Sequence, residues 1–332
     1  MEYRYLGRTG LQISAITLGA QTFGWSVDSE HAYELLDQYL EAGGNYLDAA
    51  DSYNHGESER IVGAWVKDRG VRGRILLGTK VFFPTGPLPN DTGLSRRHIQ
   101  QSLEESLRRL QTDCVDLYQM HCFDRRTPLE ETIRALDDAV HSGKIRYVGS
   151  SNFTPSQLQK AVMLGRSSGF APMATLQLEY SLLVRSPEWE LLPQCLEEGV
   201  GTLAWSPLAG GWLSGKYHRG QPLPADSRAG KGDRWDDAEA QRGGERTWAI
   251  LEVLTRTAAE SGVTPAQAAL AWMLQRGQVT TLLVGARTPK QLADNLRAGE
   301  VRLGKEQLAA IDEVSRPVLP YPYAFIERYT RK

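Results

Sequence analysis

The chain has 332 residues, 41% hydrophobic and 23% charged, the make-up of an ordinary globular protein able to bury a core, which excludes disorder as its main state. Lys and Arg total 38 against 40 Asp and Glu, a net charge of −2, so no basic excess argues for nucleic acid or an acidic membrane surface, and a small neutral or anionic metabolite fits better. Such a length suits one large α/β domain or two ordinary ones.

The opening Met1-Glu2-Tyr3-Arg4-Tyr5 lacks the charged-then-apolar order of a signal peptide. No later apolar run approaches the roughly 20 residues that span a bilayer, so a cytoplasmic location is expected. Cys114, Cys122 and Cys195 are odd in number and form no C-x-x-C pair, which suggests neither a disulfide framework nor a thiolate metal site.

Tyr3–Ile13, with Gly7-Arg8-Thr9-Gly10 at its centre, reads as a hairpin. Eight short apolar runs then alternate with helix-length amphipathic stretches: Ala15–Gly19, Asn45–Asp48, Ile75–Lys80, Val115–His121, Tyr147–Ser150, Ala174–Gln177, Thr202–Trp205 and Thr280–Gly285. Repeated βα units with no contrasting second region predict a single closed (β/α)8 barrel, a TIM barrel, over residues 1–332. An open dinucleotide-binding sheet is disfavoured, because Ala20-Gln21-Thr22-Phe23-Gly24 after the first run has no G-x-G-x-x-G. Four Thr-Pro-x-[Glu/Gln] segments, Thr127–Glu130, Thr154–Gln157, Thr264–Gln267 and Thr288–Gln291, predict helix starts with a hydroxyl cap, Pro at the first helical position and a capping-box residue. Ile99, Leu103, Leu107 and Leu110 recur at helical spacing, as do Leu129, Ile133, Leu136 and Val140. Ser214–Gly244, rich in Gly, Pro, Asp and Arg, predicts a long loop on the catalytic face. Lys305–Ser315 predicts an extra C-terminal helix, followed by a Pro- and Tyr-rich tail.

In such a barrel the C-terminal ends of the strands converge on the active site. Asp48, Lys80 and His121 close the second, third and fourth runs, and Tyr53 follows the second. Singly, each has an ordinary explanation: a turn carboxylate, a surface cation, a core imidazole, a loop aromatic. Together they suit proton transfer to a carbonyl oxygen. An adjacent ammonium favours phenolate and should bring the Tyr53 hydroxyl down toward working pH, Asp48 would hold Lys80, and His121 would orient the substrate oxygen. His121 has no H-x-x-x-H or paired-carboxylate neighbourhood, so no metal site is expected.

These segments resemble the aldo-keto reductases. Leu47-Asp48-Ala49-Ala50-Asp51-Ser52-Tyr53 with Gly56-Glu57-Ser58-Glu59 is similar to the family's aspartate and tyrosine segment, Thr79-Lys80 to its lysine segment, and Asp116-Leu117-Tyr118-Gln119-Met120-His121 to its histidine segment. Gly143-Lys144-Ile145-Arg146-Tyr147-Val148-Gly149-Ser150-Ser151-Asn152-Phe153 is similar to the motif that holds the cofactor amide. The resemblance implies reduction of small aldehydes or ketones with NADP(H), NADH remaining open, and Tyr53 as general acid in a tetrad with Asp48, Lys80 and His121. It further implies that Gly19, Ala20 and Gln21 border the cofactor, that Ser151, Asn152 and Gln177 hold the carboxamide, and that Trp205 stacks on the nicotinamide. Ser206, Pro207, Leu208, Gly210 and Lys216 would meet the pyrophosphate, and Gly285, Arg287, Gln291 and Asn295 the adenosine phosphate. Gly285 stands where one large branch carries a lysine, and Arg287 is the cation available in its place. Gly211–Tyr217 resembles the branch that holds potassium-channel β subunits and microbial reductases, among which retention of His121 favours a working enzyme. Thr22, Phe23, Trp25, Phe82 and Phe83 are the expected substrate-pocket residues. Two competing functions are a cofactor-binding regulatory subunit with little turnover and a barrel isomerase without a nicotinamide. Oligomeric state is open, from monomer to homo-oligomer.

Overall fold

The computed structural model describes residues 1–225, 227 and 243–330. Strands β1 (Tyr3–Tyr5) and β2 (Gln12–Ser14) pair antiparallel as the expected hairpin. The eight strands that follow are β3 (Ile16–Gly19), β4 (Tyr46–Asp48), β5 (Leu76–Val81), β6 (Val115–Met120), β7 (Ile145–Ser151), β8 (Met173–Glu179), β9 (Gly201–Trp205) and β10 (Thr281–Val284). Each pairs in parallel with the next, and β10 returns to β3, so the sheet closes as the TIM barrel expected.

Around the sheet lie α1 (Ser29–Glu41), α2 (Glu57–Arg69), α3 (Arg96–Leu110), α4 (Leu129–His141), α5 (Pro155–Ser168) and α6 (Leu191–Glu198), then α7 (Glu245–Glu260), α8 (Pro265–Gln275), α9 (Pro289–Arg297), α10 (Lys305–Ser315) and α11 (Tyr323–Thr330). Helix α7 is additional to the one whose start Thr264 marks, so among the described residues two α-helices stand between β9 and β10. Residues 226 and 228–242, the middle of the predicted 214–244 loop, lie outside the described residues.

Local chemistry explains most helix starts. Thr154 and Thr264 each accept the backbone N–H three residues on, while Gln157 and Gln267 reach back to the cap, completing both boxes. At Thr288 the box is half made: its hydroxyl accepts from Gln291, but Gln291 Oε1 accepts the Arg287 N–H at 2.8 Å instead of the cap's own. Thr127 does not cap its helix. Its hydroxyl donates to Asp124 Oδ2 at 2.7 Å, because Asp124 already gathers the N–H groups of Leu94 and Arg126 and offers a charged acceptor, which is stronger than a helix N–H contact.

The core has two parts. The larger lies between helices and the outward faces of the strands and includes Ile99, Leu103, Leu107 and Leu110 on α3 with Ile133 and Leu136 on α4. The smaller, Leu6, Ile13, Tyr46, Leu117, Leu203 and Leu283, fills the barrel interior. Leu6 and Ile13 come from the hairpin segment, which therefore plugs the N-terminal end of the barrel and leaves only the opposite end for a site. Helix α10 is tied down by Arg185, buried, which grips both Glu188 oxygens and donates to Asp312 and Ser315 of α10. Among the described residues no helix is long and apolar enough to cross a membrane.

Candidate active site

Side chains two apart on a strand share a face, so Tyr46 and Asp48 both point into the barrel, as do Gly78 and Lys80 on the neighbouring strand. Gly78 makes room for this: a Cβ there would lie 2.1 Å from Tyr46 Oη. Lys80 is fully buried, and its Nζ donates to Asp48 Oδ2 at 2.5 Å, to the Ala49 carbonyl at 2.9 Å and to Tyr53 Oη at 3.1 Å. An ammonium has three donors, and all three are used, which is what makes so deep a charge tolerable. Asp48 is equally occupied: its Oδ1 accepts from Gln177 Nε2 at 3.0 Å, Gln119 Nε2 at 3.2 Å and Tyr46 Oη at 3.3 Å.

Tyr53 opens a short 3-10 turn, Tyr53–Gly56, in which Asn54 and His55 are left-handed at φ 47° and 54°. The Asn54 side-chain amide donates to the Gly24 carbonyl, which fastens this turn to the loop after β3. His121 follows β6 directly, its backbone N–H bonded to the Val81 carbonyl at 2.9 Å. Its ring meets that of Tyr53 edge-on with centroids 5.7 Å apart and that of Phe83 at 4.8 Å. The structure thus brings all four sequence-marked residues together.

Electrostatics differ from the expectation in one respect. Burial pushes the Tyr53 phenol above its ordinary value, and the Lys80 charge offsets this only in part, so the hydroxyl holds its proton at neutral pH. Lys80 is held above its own ordinary value: burial opposes the charge, but Asp48 and then Tyr53 outweigh it. Burial, helped by Lys80, holds His121 well below the ordinary histidine value, leaving a neutral imidazole whose buried Nδ1 has no hydrogen-bond partner among the described residues.

Next to this cluster the residues marked for a cofactor form a connected rim. Asn152, left-handed at φ 56°, donates through Nδ2 to the His121 carbonyl and to Ser151 Oγ, both at 3.0 Å, and accepts from Trp205 Nε1 at 3.2 Å. Trp205 is half-buried at the end of β9. Gln177, expected to hold a carboxamide, instead donates to Asp48 and Gln119. Gly19 pairs in register with Asp48, the Ala20 N–H reaches the Asp48 carbonyl at 2.9 Å, and Gln21 is exposed at the edge. Beyond Trp205, Ser206 and Ala209 take positive φ, and so do Gly210 and Gly211. A Cβ on Gly211 would lie 2.6 Å from Lys216 Nζ, so the lysine stands directly over the backbone of this loop. Pro207 is buried and Leu208 half-buried within it. At the far end Gly285 is exposed in open space, Arg287 is half-buried, and Asn295 reaches the Gly285 carbonyl at 3.4 Å.

The expected pocket aromatics divide. Phe83 lies against His121, and Phe82 meets Phe83 edge-on at 5.3 Å. Trp25 is exposed and Thr22 half-buried in the loop after β3. Phe23 is wholly buried in the larger core. A separate groove of about 910 Å³ lies between α1, α2 and α3 and contains none of these residues.

Gln119 and Tyr46 escaped the sequence reading as partners of Asp48. Strand period was the available signal, since Gln119 lies two before His121 and Tyr46 two before Asp48. The buried carboxyls of Asp51 and Glu59 had no such marker.

The profile of the aldo/keto reductase family matches residues 15–316. The chain is 41% identical over 324 residues to the uncharacterized oxidoreductase YrpG of Bacillus subtilis (strain 168), covering 95% of this chain and 96% of that protein. It is 36% identical over 304 residues to a probable voltage-gated potassium channel subunit beta of Oryza sativa subsp. japonica, 91% of this chain and 92% of that one. A putative subunit of the same kind in Schizosaccharomyces pombe is 36% identical over 324 residues, 94% and 92% of the two chains. With a match that runs from the first barrel strand to the end of α10, the chain belongs to the aldo/keto reductase family.

Proposed function

We propose that the chain, acting as one barrel domain over residues 1–332, is an NADP(H)-dependent oxidoreductase that reduces aldehyde or ketone groups of small molecules, with Tyr53 as general acid. The observation that carries this reading is the position of Lys80 Nζ, bonded to both Asp48 and Tyr53, with the neutral His121 ring against the phenol. When bound, the reduced nicotinamide supplies the hydride that the carbonyl carbon receives. Tyr53 Oη gives its proton to the carbonyl oxygen. The phenolate left behind is stabilised by the Lys80 ammonium, whose charge Asp48 balances, and Asp48 in turn is held by Gln177, Gln119 and Tyr46. A neutral His121 can donate a ring N–H to the same carbonyl oxygen and set its angle.

The donor set fits a dinucleotide. Ser151, Asn152 and Gln177 would hold a carboxamide, with Gln177 turning from Asp48 to do so, and Trp205 offers a ring face for stacking. The left-handed loop at Gly210 with Lys216 above it suits the pyrophosphate, alongside Ser206, Pro207 and Leu208. Gly19, Ala20 and Gln21 would border it. The N-terminus of α9, with Gln291, Asn295, Gly285 and Arg287, suits the adenosine phosphate.

A second reading, a cofactor-binding regulatory subunit with little turnover, draws support from the relatives named as channel subunits. The two separate in one assay. Steady oxidation of NADPH by wild type with a panel of aromatic and aliphatic aldehydes is expected, with Arg287→Ala weakening NADPH binding about 10-fold or more relative to NADH. Tight NADPH binding with no oxidation of any aldehyde would favour the regulatory reading, and equal loss for both cofactors would remove Arg287 from phosphate recognition.

A further inference from the structure

Behind the tetrad, on the α2–α3 side, lies a second set of buried ionisable groups that the proposed reaction does not use. Asp51 is 2% exposed; its Oδ2 meets Ser102 Oγ at 3.1 Å, while its Oδ1 is buried with no hydrogen-bond partner among the described residues. Glu59, fully buried one helical entry away, takes Thr79 Oγ1 at 2.5 Å and Arg109 Nε at 2.6 Å. The Arg109 guanidinium is spent on Glu59, Ser106 and, at 3.6 Å, Glu105, and gives Asp51 no hydrogen bond among the described residues. A bare, buried carboxylate oxygen beside a second carboxylate is the costliest arrangement available to such a pair, and a proton on one member removes most of the cost. Asp51 is the member without a cation. Its surroundings are Glu59 from α2, Ser102 and Arg109 from α3, Tyr118 from β6, the Lys80 carbonyl from β5, which accepts the Asp51 N–H at 3.3 Å, and Tyr53 two residues along the chain.

We infer that Asp51 holds a proton beside the Glu59–Arg109 pair in the working enzyme, and that loss of this proton makes Tyr53 a weaker acid. Asp51 is then a positioning residue in the electrostatic sense, acting on the substrate only through Tyr53. Burial, then Glu59, pushes its carboxyl up to about 7, in the physiological range. The arrangement also constrains stability. A carboxyl raised in the fold above its unfolded value of about 4 favours the fold at low pH, and that advantage is lost as pH rises to about 7.

The inference rests on Tyr53 as proton donor for its second half only, and the experiment keeps the halves apart. Infrared spectra of the whole enzyme with 13C-labelled aspartate, wild type against Asp51→Asn, are expected to show one protonated carboxyl at pH 6 that disappears toward pH 8 and is missing in the variant. The melting temperature of Asp51→Asn relative to wild type should rise between pH 4 and 7 and level off above. In turnover, the alkaline limb of log kcat should move to lower pH by about half a unit or more in Asp51→Asn, because a nearby negative charge no longer holds the phenol's proton. A merely structural role moves no limb. If Asp51→Asn fails to fold, Glu59→Gln serves: removing the neighbouring charge should shift the Asp51 band's midpoint to lower pH. No protonated carboxyl at pH 6, a band insensitive to Glu59→Gln, or an unmoved alkaline limb each overturns the inference. A protonated Asp51 in an enzyme without any carbonyl turnover would instead overturn the proposed function and leave the first half standing.

Discussion

Replacing Tyr53 with Phe is expected to lower kcat for aldehyde reduction by about 10²–10⁴ while leaving cofactor affinity within a few fold. The phenyl ring would still pack edge-on against His121, so the pocket keeps its shape and the hydroxyl with its transferable proton goes. Tyr53 Oη accepts its one described hydrogen bond from Lys80 Nζ, so the variant also leaves one of the buried ammonium's three donors without a partner, a modest stability cost separate from the loss of chemistry. Stopped-flow single-turnover rates together with NADPH fluorescence titration measure the two quantities separately. A variant that reduces substrate at the wild-type rate would remove the phenol from the reaction.

Lys80→Met is expected to be costly for the fold as well as for activity. Met fills similar volume, but Asp48 would be left buried without its cation, a situation that typically costs about 3–5 kcal/mol. The donors from Gln177, Gln119 and Tyr46 remain and place the expectation at the lower end. A fall in Tm of roughly 5–10 °C follows. Adding Asp48→Asn removes the stranded charge, so the double variant should recover a large part of that fall, and the coupling in this cycle reports the pair itself. Equal Tm for wild type and Lys80→Met would contradict the saturated ion pair.

The barrel was legible because each βα unit writes its own signals locally. Short apolar runs fix strands, and Thr154 and Thr264 fix helix starts through contacts three residues away. Thr127 failed for the complementary reason: its partner Asp124, also three residues away but upstream, outcompeted the helix N–H, and nothing in a capping pattern registers a rival acceptor. Helix α7 was hidden behind the polar 214–244 stretch. At the site, Asp48, Lys80 and His121 were found because strand ends converge in a closed barrel, a rule of topology that needs no contact information. Their protonation was not legible. The expectation that Lys80 would bring the phenol down weighed one charge, whereas burial of the hydroxyl, visible only in three dimensions, weighs more. The same blindness hid Asp51, whose neighbours Ser102 and Arg109 lie about fifty residues on in α3.

Whether a phenol, an ammonium, a carboxylate and an imidazole surround the reactive edge of a nicotinamide is tested most directly by following a label. Wild-type enzyme given NADPH deuterated at both C4 positions and an aldehyde it turns over should place deuterium on the carbinol carbon of the alcohol, one label per cofactor oxidised, and Tyr53→Phe should slow that transfer without diverting it. Alcohol formed free of deuterium, or cofactor bound and never oxidised, would contradict the account.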